Sequence, residues 1–268
     1  MAQQFKPLMW EEYFIYSTNF LPLTGGTGTA FTINEIRIAK DADFKIYAIT
    51  YRADDARIFM RLRDDTYGRY LQKGDPDMRA IAGRPISGPA SMAPVQNEFL
   101  PYLWPVPYRI PASSTLAVEA SDFSGSDNNA RISFHGAKIR PGAPPWARNY
   151  RFRVPFTYEL DFGAIGASGT GTQTVTMDSD SDFLVKSISG VRGQSCTILV
   201  SEGARGRDWM DRNVHFDSFA GVGYFQNRLP ENMPRFITRT GSIQAQVTDL
   251  SGASNTVRVY FNGIKLFG

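Results

Sequence analysis

The sequence predicts an all-β protein: two tandem antiparallel β-sandwich, jelly-roll-like domains that arose by internal duplication. Three observations predict it. Phe, Tyr, Thr, Ser, Val and Ile fall in short runs between Gly, Pro, Asn and Asp, the texture of short strands joined by turns. No amphipathic stretch is long enough for the helices of a parallel α/β fold. The chain also repeats itself, with FIYSTNF at 14–20 returning as FTYELDF at 156–162.

Taken in order, residues 1–12 read as an N-terminal arm. Its Phe5, Leu8, Met9 and Trp10 would be costly to leave in water, so the arm should dock on a partner surface. Residues 13–140 form the first sandwich. A Gly/Thr loop at 24–29 leads to Asp41-Ala-Asp43-Phe44, Gly68-Arg69 follows, and Pro107-Tyr-Arg-Ile110 opens a closing hairpin. Residues 141–153 are a Pro-rich linker on a stiff, extended path. Residues 154–268 repeat the landmarks as a loop at 166–172, Asp180-Ser-Asp182-Phe183, Gly206-Arg207 and Pro234-Arg-Phe-Ile237. The hairpins align without a gap over 30 positions, 110–139 on 237–266, with nine identities. Those are Ile110/Ile237, Asp122/Asp249, Ser124/Ser251, Gly125/Gly252, Asn128/Asn255, Arg131/Arg258, Phe134/Phe261, Gly136/Gly263 and Lys138/Lys265. Asp, Ser, Gly and Asn supply the turn between two alternating strands. The first copy carries extra residues, placed in the Pro/Gly-rich stretch 72–105.

Composition narrows the function. With 42% hydrophobic and 21% charged residues the chain is globular. A net charge of +3 is too small to argue for nucleic acid as a partner. The one cysteine, Cys196, excludes an intramolecular disulfide and reads as a core residue. The opening MAQQFKPLMWEEY has no basic segment followed by an apolar one, which predicts no signal peptide, and no run suits a membrane helix.

Candidate chemistry is sparse. His135 and His215 sit in no metal-ligand spacing, no nucleophile elbow occurs, and no cofactor is expected. Gly25 to Gly28 and Gly169 to Gly171 read as hairpin loops rather than phosphate loops. Asp178, Asp180 and Asp182 alternate as hard oxygen ligands do, but without the rest of a calcium loop they read as a solvated corner. Arg61, Arg63 and Arg69 in the first copy, and Arg205 and Arg207 in the second, are interleaved with Asp. They suit a salt-bridged loop or a protein interface better than a nucleic-acid groove. Tyr102 and Trp104, in the aromatic and proline-rich run 99–108, and Trp209 are further interface candidates.

The doubled Asp-x-Asp-Phe corner, Gly-Arg, Pro-x-x-Ile and the closing Phe-x-Gly-x-Lys resemble β-sandwich virion structural proteins of tailed bacteriophages, the cement, decoration and neck components of the head. That resemblance implies no catalytic residues. It implies a virion protein, assembled in the host cytoplasm, that binds the major capsid protein or other virion proteins. A dimer or trimer is expected, because closed symmetric oligomers are the rule. Two other readings share the fold. A double jelly-roll major capsid protein would form trimers of pseudo-sixfold outline, and a carbohydrate- or receptor-binding module would display Trp or Tyr platforms. An enzyme on a sandwich would need a cleft with perturbed carboxylates, and no residue pattern nominates one.

Overall fold

The computed structural model describes residues 8–26, 30–55, 57–82, 102–203, 206–222 and 225–268. The first unit comprises β1 (Met9–Leu23), β2 (Thr32–Arg37), β3 (Asp43–Ala53), β4 (Ile58–Asp64), β5 (Arg69–Tyr70), α1 (Met78–Ile81), β6 (Tyr102–Ile110), β7 (Thr115–Asp122) and β8 (Asn128–Pro141). First pairs with last, second with second-last, and so inward: β1 with β8, β2 with β7, β3 with β6, β4 with β5. This is one long hairpin rolled up. Further pairing of β3 with β8 and β4 with β7 gives two antiparallel sheets, β1-β8-β3-β6 and β2-β7-β4-β5. Eight strands in this order are a jelly roll.

The second unit comprises β9 (Phe152–Ile165), β10 (Thr170–Thr176), β11 (Asp182–Arg192), β12 (Cys196–Glu202), β13 (Arg207–Asp208), β14 (Val214–His215), α2 (Phe216–Ala220), β15 (Gly221–Val222), β16 (Phe225–Arg228), β17 (Arg235–Ile237), β18 (Ser242–Asp249) and β19 (Asn255–Phe267). The rolled order returns as β9–β19, β10–β18, β11–β17 and β12–β13. The elements β14 to β16 with α2 stand between β13 and β17.

The observed boundaries differ from those expected. β1 pairs in register with β8 up to Met9↔Pro141, so Met9 and Trp10 belong to a strand rather than to an arm. Likewise β9 starts at Phe152 and shortens the linker. That linker docks: Trp146 and Tyr150 pack on Leu184, Phe236 and Leu266, and Trp10 meets Trp146 edge to face at 5.5 Å. Phe5 and Arg205 lie outside the described residues.

The repeated motifs hold one another. Asn128 accepts from the backbone N–H of Asp54 and Asp55 and donates to the Asp55 carbonyl. Asn255 does the same for Gly193 and Gln194. Asp43 accepts the N–H of Ala112 and Asp182 that of Arg239, each two residues past the Ile of the lead-in. Gly68 and Gly206 have φ of 59° and 56°, a region that favours glycine. The Phe of each acidic corner, Phe44 or Phe183, rides over the Gly of the other motif, Gly136 or Gly263, where a Cβ would strike the ring. The opening aromatics complete the set. Phe14 and Tyr16 lie 4.8 Å apart, as do Phe156 and Tyr158. Lys138 sits over Phe14 and pairs with Asp41, while Lys265 sits over Phe156 and pairs with Asp178. Asp178 and Asp182, two of the three alternating carboxylates, are thus occupied in holding the corner.

Candidate functional site

The two units meet along β1. Strand side chains alternate between faces, so one face of β1 sends Phe14, Tyr16 and Phe20 into the first core. The other sends Tyr13 and Ile15 into the second core, beside Trp209, Met210, Phe219 and Phe261. Backbone joins the seam as well. Ile15 N–H donates to the Trp209 carbonyl at 3.0 Å, and Asp211 N–H donates back to Ile15 at 3.1 Å. Ser17 N–H donates to the Asp211 carboxylate at 2.8 Å.

Polar groups buried in the seam are tied in chains, as they must be when shut away from water. Asn227 donates to the Tyr13 hydroxyl at 3.1 Å, leaving Tyr13 to donate to His135 Nδ1 at 3.0 Å. His135 Nε2–H then faces the Thr50 hydroxyl at 2.9 Å. Burial holds His135 neutral, pushing its pKa down to about 4. Glu12 receives three guanidiniums: Arg235 at 3.1 Å, Arg140 at 3.2 Å and Arg207 at 3.5 Å. Burial alone would raise its pKa, and the three charges together pull it below the ordinary carboxylate value. Arg235 is itself buried and also donates to the Tyr13 carbonyl.

Trp209 and Arg207 therefore lie at an interface inside the chain, with Trp209 fully buried. The first-copy arginines lie elsewhere, toward the β4–β5 edge. Arg61 pairs with Asp75, Arg63 with Asp65 at 2.7 Å, and Arg69 donates to the Tyr108 hydroxyl at 2.9 Å. Trp104 packs on Tyr108 beside this edge, lining a cavity of about 500 Å³ with Leu71, Gln72 and exposed Val106. Tyr102 opens β6. Leu8 and Met9 are exposed. Glu12, Tyr13, Ile15, His135, Asn227 and Arg235 were not singled out by the sequence. Their signal was a mismatch between copies: Glu12 stands opposite Val154, Ile15 opposite Thr157, and Arg235 opposite Tyr108.

One constellation has the residues of a hydrolytic triad. Ser195 Oγ lies 3.2 Å from His215 Nε2, and Asp217 follows. The polarity is wrong for acyl transfer. His215 Nδ1 accepts the Asp217 backbone N–H, and the Asp217 carboxylate is claimed by Arg192, with Nδ1 at 3.6 Å. Burial drives the His215 pKa down to about 3, far from that of a useful base at neutral pH. The Cys196 thiol is buried and pushed up to about 12, which leaves it unreactive. Among the described residues no group of His, Cys, Asp and Glu is arranged to hold a metal ion, and no helix is long and apolar enough to cross a membrane.

No family model and no curated protein sequence matches the chain. Solved structures align with it at low scores. A structure of Sulfolobus Turreted Icosahedral Virus aligns with 99% of this chain at 11% identity and a TM-score of 0.25. An archaeal-virus structure described by its triple jelly-roll fold and turret assembly does so at 11% identity and a TM-score of 0.27. A peptide-N(4)-(N-acetyl-β-D-glucosaminyl)asparagine amidase aligns with 98% of the chain at 8% identity and a TM-score of 0.23, covering 96% of that enzyme. The chain spans 61% of the length of the two viral structures. Scores this low assign no function.

Proposed function

We propose that this is a virion structural protein whose chains join head to tail into rings of jelly rolls that build a capsid shell. One observation carries the reading. The outer face of the first unit's β1 sheet is buried against the second unit, whereas the matching face of β9, with Pro155, Thr157, Glu159 and Asp161, is open. At the edge that would receive it, Leu71 and Gln72 are half-buried and Lys73 is exposed. Leu71 and Gln72 of the first unit occupy the places of Trp209 and Met210: Leu71 N–H bonds the Leu62 carbonyl as Trp209 N–H bonds that of Val200. Setting the β9 face of one chain on this edge of the next repeats the seam between chains. Thr157 takes the place of Ile15 and meets Leu71 and Gln72. Glu159 takes the place of Ser17 and meets Lys73, which takes the place of Asp211. The charges are complementary.

A contact between two different patches propagates until rotation closes it. Three chains supply six similar units, a hexagonal outline that tiles a surface. This favours the shell-building reading over a cement, decoration or neck component, which would spend its open face on another protein's lattice. The partners are then copies of this chain and other virion proteins. Among the described residues the glycan-binding reading has no tryptophan platform, because Trp209 is buried, Trp10 pairs with Trp146 and Trp104 leans on Tyr108, and the exposed Tyr67 and Tyr70 each carry an arginine over the ring.

Covalent capture tests the contact. A variant carrying Thr157→Cys and Gln72→Cys, oxidised gently, should give a closed three-chain species on non-reducing gels, and each single variant should give none. Absence of cross-linking in the double variant, or an open ladder, overturns the ring.

A further inference from the structure

The seam within the chain is a template for what fills the cavity beside Trp104. In the seam Glu11 accepts from Asn232 at 2.9 Å and Glu12 meets Arg235 at 3.1 Å. The repeat puts Arg153 and Val154 in the places of Glu11 and Glu12, and Pro105 and Tyr108 in those of Asn232 and Arg235. Pro105 and Tyr108 both line the cavity of about 500 Å³. In the head-to-tail contact the N-terminal half of the next chain's β9 therefore passes over its mouth.

Both sides of this place have exchanged charge for apolar surface. In the seam Glu12 holds three guanidiniums, those of Arg235, Arg140 and Arg207. In the other copy the four places carry Val154, Tyr108, Phe267 and Arg69. One cation of three remains, and the carboxylate is gone. Phe152 and Val154 are exposed on β9, and Phe152 stacks on Phe267 at 4.4 Å. Opposite them the cavity is walled by Leu62, Leu71, Trp104 and Val106, with Val106 75% exposed. The Tyr108 hydroxyl donates to Asp64 at 2.5 Å and accepts from Arg69 at 2.9 Å. It is thereby satisfied, and the ring remains to be covered.

We propose that this cavity is the receptor for the next chain: Val154 seats against Tyr108, with Phe152 and Phe267 beside it, and their burial holds the ring of chains together. This anchor presupposes the head-to-tail ring proposed above and adds the surface that drives it. The two contacts need different driving forces. The seam forms within one chain, where the linker keeps the units together, so buried ion pairs with little net gain suffice. Between chains the cost of association must be offset, and burial of apolar surface does that. The exchange also keeps the contacts apart. A neighbour's Val154 set in the seam would leave the buried Arg235 without its carboxylate, so β9 does not displace β1.

Light scattering after size exclusion, on the full chain over a concentration series, tests the anchor. Val154→Lys puts a cation beside Arg69 in a contact shut from water. It should weaken each contact between chains about a hundredfold, leaving monomers where the wild type forms rings. Val154→Glu combined with Tyr108→Arg rebuilds the ionic pair of the seam and should bring the three-chain species back to within about tenfold of the wild-type affinity. Ile33→Lys, at an exposed place on β2 in the other sheet, should leave the mass unchanged. Val154 is exposed in the single chain, so the lysine variant folds and decides the matter alone if the double variant does not. Rings from both the wild type and Val154→Lys overturn the anchor and leave the head-to-tail contact standing. A folded double variant no tighter than Val154→Lys also overturns the anchor. A wild type that stays a single chain at every concentration overturns anchor and ring together.

Discussion

Glu12→Ala is expected to destabilise the protein by about 3–5 kcal/mol, because it strands a buried cation. Arg235 is shut in the seam, and its guanidinium reaches Glu12 at 3.1 Å. Removing the carboxylate leaves that charge with the backbone carbonyls of Tyr13 and Asp208 and the attraction of the buried Glu202. Arg140 and Arg207, which share Glu12, are more exposed and can turn to water. The measurement is equilibrium urea unfolding of the purified variant. Double replacement of Glu12 by Val and Arg235 by Tyr, the residues at the equivalent places in the other copy, should recover a large part of the loss. A single-variant loss below about 1 kcal/mol would mean that the seam is not the buried contact described above.

Gly263→Ala should cost roughly 3 kcal/mol, the upper part of the usual range for overpacking. The reason is backbone rather than side chain. The new Cβ would collide with the Leu184 carbonyl oxygen and approach the Phe183 ring to 2.9 Å. A carbonyl in the middle of a paired strand cannot swing away as a side-chain tip can. Gly136→Ala meets the Lys45 carbonyl and Phe44 in the same way and should cost a similar amount. Gly125→Ala is the contrast. There nothing obstructs the Cβ, and only the positive φ of 85° opposes it. Thermal or urea unfolding of the three variants checks this ordering. Equal stability of Gly263→Ala and the wild type would refute the proposed coupling of the two motifs.

Those glycines illustrate what the sequence made legible. Phe-x-Gly-x-Lys and Asp-x-Asp-Phe stood out because each does one job twice, and the contact between them could not be seen until β3 lay beside β8. The jelly-roll order was foreshadowed by the closing hairpin alone, since pairing β1 with β8 joins residues 105 or more apart and local spacing carries no trace of it. The seam was hidden for a further reason. It is written in the differences between copies, whereas the repeat is recognised by its identities. Ile15, buried between units, and Thr157, open to water, occupy one place in the repeat and differ because their surroundings differ. Trp209 was picked as an aromatic that wants a partner. It has one, within its own chain. Arg131 and Arg258 are identical in the alignment yet sit in a cleft between the units and on an open face, which no spacing in the sequence could separate.

The most direct test of the head-to-tail ring is the mass of the wild-type protein by light scattering after size exclusion, over a concentration series. The ring predicts a species of about 90 kDa, three times the 29.9 kDa chain, that persists on dilution and gives way to larger closed assemblies at higher concentration. A monomer at every concentration, or a species of two chains, would contradict it.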